Sequence, residues 1–417
     1  MLKKIIATLF TRGFVALVNL AILLITSRQL GGDIRGQIGL LILNISIIQV
    51  INEIYTGYAL VYFIPRYALR TIYNNGLLWS VACIILTTLT LIGLNVYYDV
   101  SINKYWIHMA ILSFIIIVHS FNGVVILARE RIRIYNFLNF FQPALLLLTL
   151  IVLIFGFGQR SVYTYIIALY VSFLASLLIS GIQMLGIFRS DHTQLPAAGP
   201  SMILRKGFFN QLANLSHLLS NRYNFYLLSS SNVLVGIYLN STSLIESVLL
   251  ISNSASTLVL TYIANKKDET KSVTVTFLLS KLCFLLSLFC VLVLVLIPSE
   301  FFTFLLGKDF SQTKEIMLLL SPGILCISFS TVISHYFSGM GRQRLIANAN
   351  LAGLITAIST GYFLVNRYQL AGACYTACLS YFVASMIMVV MFMREHRLSV
   401  WSLFRMRQDF KVLKEIR

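Results

Sequence analysis

The chain has 417 residues, 58% of them hydrophobic and only 11% charged, where soluble domains carry roughly 45–50% and about 25%. That composition excludes an ordinary soluble enzyme, because about a dozen apolar runs of the roughly 20 residues needed to cross a bilayer core have no use in a small soluble core. Lys and Arg number 32 against 14 Asp and Glu, a formal charge of +18, which in a membrane protein poses the question of which face carries the bases.

Lys3 and Lys4 precede an apolar stretch in the manner of a signal peptide, but no small-x-small cleavage site follows, so the segment reads as a retained first helix. Windows of about 20 residues predict spans at 8–27, 39–62, 76–95, 105–127, 136–157 and 163–187. After a linker, six more are predicted at 207–229, 234–260, 274–297, 315–337, 347–365 and 370–392. The expected organisation is an N-lobe at 1–190, a cytoplasmic linker at 191–206, a C-lobe at 207–393 and a basic cytoplasmic tail at 394–417. The tail, with Trp401, Phe404 and Phe410 among its bases, reads equally as an amphipathic helix on the anionic leaflet or as a free basic tail.

An even number of spans puts both termini on one side. Of the 32 bases, 22 lie in the loops on the side of the termini, seven lie in the opposite loops, and Arg12, Arg222 and Lys281 fall within spans. Short basic loops stay in the cytoplasm, so both termini are expected there. The net charge is then mostly a topology signal, and no nucleic-acid partner is needed. The six cysteines, Cys83, Cys283, Cys290, Cys326, Cys374 and Cys378, all sit in apolar runs without metal-ligand spacing and read as packing residues.

The two halves resemble one another. GGDIRGQIGL at 31–40 matches SNVLVGIYLN at 231–240 in character, pairing Gly36 with Gly236. ARERIRIYN at 128–136 resembles GRQRLIANA at 341–349, pairing Arg131 with Arg344. Six spans on each side of the linker make these parallel repeats, related by an axis along the membrane normal, with a cleft expected between them.

Several segments carry a resemblance to a known group: NRYNFYLLSSSNVLVGIYLNSTSLIE at 221–246, FFTFLLGKDF at 301–310, SPGILCISFSTVISHYFSGMGRQR at 321–344, YQLAGACYTACLSY at 368–381 and RQLGGDIRGQIGL at 28–40. Together they resemble the oligosaccharide flippases, including the Wzx-type O-antigen translocases, of the multidrug/oligosaccharidyl-lipid/polysaccharide (MOP) exporter superfamily. The resemblance implies an all-α polytopic membrane protein of about twelve transmembrane helices, in two homologous six-helix lobes forming a V-shaped central cavity lined chiefly by spans one, two, seven and eight. It also implies a cargo, an undecaprenyl-pyrophosphate oligosaccharide moved between leaflets of a bacterial inner membrane, with a polysaccharide polymerase as a partner. The group shares few invariant residues, so the resemblance identifies a class and not a sugar.

An ionised side chain at the bilayer centre costs roughly 2.5–3.5 kcal/mol even on lenient scales, so each one demands a cavity, a partner or a role. Five candidates are Arg12, Glu53, Arg222, Glu246 and Lys281. The first four fall on the spans that the resemblance places around the cavity. A flippase must carry a pyrophosphate and sugar hydroxyls through a layer that solvates neither, and the guanidinium fork suits phosphate. Arg12 and Arg222 are therefore the phosphate candidates, although Arg12 is close enough to the start of its helix to snorkel. Lys281 is expected to snorkel as well.

In span seven, Asn210, Asn214, His217, Asn221 and Asn224 recur every three or four residues and form one polar stripe. Facing a wet cleft, it offers partners for sugar hydroxyls; facing a neighbouring helix, it offers hydrogen bonds within a lobe. Glu53 and Glu246 are the candidates for coupling transport to protons or sodium, the alternative being a static pair with an arginine. The isolated His108, His119 and His335 are expected to pack or hydrogen-bond, and neither a metal site nor a cofactor is expected.

The nearest rival function is a drug or cation antiporter of the same architecture, which would use the carboxylates and have little need of cavity arginines. A polymerase or ligase acting on lipid-linked sugars would need catalytic groups on a long outer loop. No serine-histidine set, no paired carboxylates and no nucleotide loop G-x-x-x-x-G-K-[ST] occur, so no enzymatic activity is expected.

Overall fold

The computed structural model describes residues 2–97, 105–190, 196, 198–265 and 269–398, with side chains from residue 13 onward except 91, 94–97, 257, 258, 260–265 and 269–271. Among the described residues the protein is helical and contains no strand. In lipid every backbone polar group must be satisfied within the segment, and the helix does this without a partner.

The elements are α1 (Leu2–Thr56), α2 (Leu60–Phe63), α3 (Leu69–Tyr97), α4 (Trp106–Ala128), α5 (Ile132–Ile151), α6 (Val162–Ser190), α7 (Pro200–Leu227), α8 (Asn232–Glu246), α9 (Leu249–Asn265), α10 (Glu269–Leu296), α11 (Ser299–Leu306), α12 (Thr313–Gly339) and α13 (Gln343–Glu395). Among the described residues, eight stretches are long and apolar enough to cross a bilayer, nine with the bent pair α8 and α9 taken as one span. The protein is thus an all-α polytopic membrane protein.

Two helices, α1 and α13, run for 55 and 53 residues, roughly 80 Å each at 1.5 Å per residue and far more than one bilayer core. Each is interrupted once. Gly31 takes φ 80°, ψ 173° in α1, and Gln369 takes φ 48°, ψ −120° in α13. Each therefore supplies two of the predicted spans. With α7, whose 28 residues are long enough but too polar to pass on apolarity, every predicted span has a helical counterpart.

One predicted span differs in form. The segment 234–260 is bent by 46° between α8 and α9. There the backbone tightens, Ser247 N–H and Val248 N–H donating to carbonyls three residues back, while Ser247 Oγ donates to Leu244 O at 2.6 Å. A serine hydroxyl that competes for the helical carbonyls bends a helix in this way.

The first compact unit comprises Met1–Gln211, Ser229–Gly236 and Leu305–Asp309. Its core has one cluster about Ile38, Leu41, Met109 and Leu150 and another about Tyr55, Phe63, Phe121 and Val125. Ser172, Ser176 and Ser180, fully buried at four-residue spacing on α6, give the neighbouring helices a smooth surface to approach. The two short segments from the second half of the chain are fastened by backbone proximity and hydrogen bonds. A Cβ on Gly36 would lie 1.9 Å from Asn232 O, and one on Gly236 would lie 2.4 Å from Gly32 O. Gly32 N–H donates to Asp309 Oδ2 at 2.8 Å, and Asn232 Nδ2 donates to Asp33 Oδ1 at 3.0 Å.

The second compact unit comprises Leu212–Leu228, Ile237–Phe304 and Phe310–Arg417. Its central helix, α12, packs against α13, α9 and α10. Ser328 Oγ lies 2.6 Å from both Ser252 Oγ and Ser287 Oγ, joining three helices, and Ser330 Oγ meets Ser385 Oγ at 2.9 Å. Hydroxyls far from water stabilise helix association by finding one another. Tyr336, Phe337, Phe277 and Phe392 form the aromatic part of this core.

Candidate functional site

Helix α7 is built with two polar faces of different character. Gln211, Ala213, Ser216, Ser220 and Asn224 are buried, a row of small or polar side chains that lets neighbouring helices come close. Beside it, Asn210 and Asn221 are half-buried and Asn214 and His217 are exposed. The stripe predicted from spacing is thus real except at its end. Asn224 turns into packing, donating to Ala373 O at 2.9 Å and Tyr238 OH at 3.1 Å.

Within the second unit, Asn214 and His217 line a cavity of about 270 Å³ together with Asn253, His335, Asn350 and Tyr381. Its wall mixes carboxamide, imidazole and hydroxyl groups, which both donate and accept hydrogen bonds, with the apolar side chains of Leu249, Ile327, Ile346 and Met388. One turn on, Asn221 Nδ2 donates to His217 Nε2 at 3.3 Å, and Asn221 Oδ1 is buried without a partner. Asn210 belongs to the first unit and does not line this cavity.

Arg222 is committed to a partner on α8. Its Nη2 donates to Glu246 Oε2 at 2.9 Å and its Nη1 to Thr242 Oγ1 at 3.1 Å, while its guanidinium sits 5.2 Å from the Phe225 ring centre. Both side chains are 21% exposed, so the pair is partly desolvated and removal of either partner leaves the other charge poorly compensated. Glu246 Oε1, by contrast, is buried with no partner. Two of the predicted site residues therefore form one ion pair, with one carboxylate oxygen left over.

Glu53 lies elsewhere, in the first unit. It lines a cavity of about 280 Å³ with Gln49, His119, Tyr135, Asn139 and Gln142. Gln49 Nε2 donates to Glu53 Oε1 at 3.1 Å, and among the described residues no Lys or Arg lines the cavity. His119 Nδ1 is buried without a hydrogen-bond partner. A carboxylate among neutral hydrogen-bonding groups, with no counter-charge in the wall, is a chemical setting that holds a proton or a small cation.

The remaining predicted residues divide. Arg12 lies in α1, but its side chain is outside the described residues. Lys281 does not snorkel. It is 4% exposed, with Nζ 4.5 Å from the Phe277 ring centre, because α10 turns that face towards the aromatic core and away from lipid. His108 Nδ1 lies 3.2 Å from Tyr170 OH. Both His119 and His335, expected to pack or hydrogen-bond, also line a cavity, and His335 Nδ1 lies 3.0 Å from Thr331 O. Gln49 one turn before Glu53, and Asn139 beside Gln142 on α5, were the available sequence signals for the first cavity.

No family model matches the sequence, and no curated protein matches it. Solved structures do match in fold. Over 94% of this chain and 87% of the other, it superposes on the lipid II flippase MurJ in an inward closed conformation, with a TM-score of 0.74 at 13% identity. An inward-facing MATE family multidrug resistance transporter of the MOP superfamily gives a TM-score of 0.72 at 14% identity, covering 92% of this chain and 95% of that one. A MOP superfamily transporter from Pyrococcus furiosus gives 0.66 at 15% identity over 94% of both chains. The chain therefore has the fold of the MOP-superfamily transporters.

Proposed function

We propose that the protein is a flippase that carries an undecaprenyl-pyrophosphate-linked oligosaccharide from the cytoplasmic to the periplasmic leaflet of a bacterial inner membrane, for surface polysaccharide such as O-antigen or capsule. The observation that carries this reading is the composition of α7 on this fold: a guanidinium, Arg222, one turn from a cavity whose mixed wall includes the carboxamides and imidazoles of Asn214, His217, Asn253, His335 and Asn350. These are the groups that bind a pyrophosphate and sugar hydroxyls. The MurJ likeness in fold supports a lipid-linked cargo without naming its sugar.

In this reading Arg222 has two competing partners. Without cargo it is neutralised by Glu246; with cargo, a phosphate replaces the carboxylate, which then needs a proton or cation of its own. Arg12 is the second phosphate ligand, and Asn210, Asn214, His217 and Asn221 serve the sugars. Glu53, in a cavity without a basic side chain among the described residues, is the ion-coupling group, with Glu246 linked through its pairing with Arg222. Transport proceeds by alternating access of the two lobes, coupled to protons or sodium, with both termini cytoplasmic and the product passed to a polymerase.

One observation favours a second reading, a drug or cation antiporter. Arg222 Nη2 is paired with Glu246, whereas Glu53 lines a cavity of its own without a basic side chain among the described residues, an arrangement suited to a cationic cargo. Reconstitution decides between them. Purified protein in vesicles is given a labelled undecaprenyl-pyrophosphate oligosaccharide, and its arrival in the opposite leaflet is followed with and without proton or sodium gradients. Protein-dependent, gradient-stimulated arrival is expected; no arrival with a native sugar under any gradient transfers the weight to the antiporter.

A further inference from the structure

Outside both cavities, the first unit gathers two cations on one exposed tyrosine. Lys206 Nζ lies 3.2 Å from the centre of the Tyr62 ring and Arg66 Cζ lies 4.0 Å from it, which bounds their separation at about 7 Å. Lys206 Nζ is also 5.4 Å from the Phe63 ring. Arg66 Nη1 donates to Tyr62 O at 2.7 Å, which holds the guanidinium back against its own turn. All three side chains are exposed, and among the described residues neither cation has a carboxylate within ion-pair distance.

The arrangement is rigidly built. Tyr62 sits on α2, which is anchored by Leu60 and Ile64, both fully buried, and by Phe63 at 2% exposure. Lys206 is placed by its neighbour Gly207, where a Cβ would lie 2.0 Å from Ile54 O. The start of α7 thus lies directly on the backbone at the end of α1. Two long cationic side chains that merely sought water would spread apart; here a ring quadrupole draws both to one place against their mutual repulsion.

We propose that Tyr62, Arg66 and Lys206 form a binding site for a phosphate group. The guanidinium supplies a planar pair of donors and the ammonium a point charge, and their separation of at most about 7 Å is within the span of one phosphate. The loops that carry Arg66, Arg70, Arg205 and Lys206 belong to the strongly basic set, which adds long-range attraction for anions. The phosphate comes either from an anionic lipid headgroup or from a free diphosphate group, and the site exists whatever cargo the protein carries.

The test uses the full chain in a neutral detergent. Inorganic pyrophosphate is titrated by calorimetry, and retention of phosphatidylglycerol against phosphatidylethanolamine is measured by native mass spectrometry, each also in the Arg222→Ala chain to remove binding at that residue. The Arg66→Gln/Lys206→Gln double variant is expected to lose about tenfold or more in affinity for whichever probe binds. Arg66→Lys and Tyr62→Phe should keep most of it, and Tyr62→Leu should lose it. Binding of pyrophosphate alone identifies a free diphosphate ligand, and selective retention of phosphatidylglycerol alone identifies a headgroup. Wild-type affinity in the double variant, wild-type affinity in Tyr62→Leu, or no binding of either probe to the unmodified protein overturns the proposal. Because the three side chains are exposed, elution and thermal midpoint should match the unmodified protein, and a variant that fails this check is replaced by Arg66→Lys/Lys206→Arg, expected to retain binding.

Discussion

Arg222 is where charge, geometry and proposed function meet. Removing it alone leaves Glu246 partly buried and uncompensated, a cost that in fully buried pairs reaches about 3–5 kcal/mol and is smaller at 21% exposure. The informative set is therefore Arg222→Gln, Glu246→Gln and the double variant. Glu246→Gln frees the guanidinium from its internal rival and is expected to raise pyrophosphate affinity several-fold, read by calorimetry in the Lys206→Gln background. Arg222→Gln, and the double variant at normal abundance, are expected to abolish surface polysaccharide in cells; polysaccharide retained in either would take Arg222 out of the mechanism. Glu53 belongs to a different test. Glu53→Gln keeps the hydrogen bond to Gln49 in kind but cannot exchange a proton, so transport in vesicles should lose its response to an imposed gradient while cargo binding persists.

Among helices, the decisive features are places where backbone meets backbone. Gly36 against Asn232 O, Gly236 against Gly32 O and Gly207 against Ile54 O each leave no room for a methyl group. Gly36→Ala or Gly207→Ala is expected to destabilise by about 1–3 kcal/mol through forced separation of the helices, measured as a lowered thermal midpoint. Gly181→Ala on α6, where a Cβ meets nothing within 4 Å, serves as the control and should be neutral or slightly stabilising. Gln369 is the converse case. Its φ 48°, ψ −120° matches the first central position of a type II′ turn, a conformation that favours glycine. Gln369→Gly should raise stability by about 1 kcal/mol; a fall would mean that the glutamine side chain supports the break in some other way.

At the level of the whole chain, orientation is the property that every functional statement depends on. The bias of bases between the two loop sets predicts which are cytoplasmic. In a cysteine-free background, Arg160→Cys is expected to react with an impermeant maleimide added outside cells of removed outer membrane, and Arg189→Cys is expected to be protected until the membrane is opened. The opposite pattern would invert the direction of the proposed transport and place the Tyr62 phosphate site on the outer face.

Hydropathy read along the chain determined the class of protein and most of its spans, α7 being too polar to pass on apolarity, because a bilayer imposes a one-dimensional requirement of about 20 apolar residues. The same reading found the polar stripe on α7, since helical spacing is also local. It did not reveal that Asn224 leaves the stripe to bind Ala373 O, that Arg222 and Glu246 neutralise each other, or that Lys281 is held against Phe277. Nor did it assemble Gln49, Glu53, His119 and Gln142 around one cavity, or Tyr62, Arg66 and Lys206 around one ring. Except for Lys281 and Phe277, which are neighbours one turn apart on α10, those arrangements join residues distant in sequence. Which face of a helix meets which neighbour is set by close packing of small residues and glycines across the bundle, and only the tertiary structure decides it.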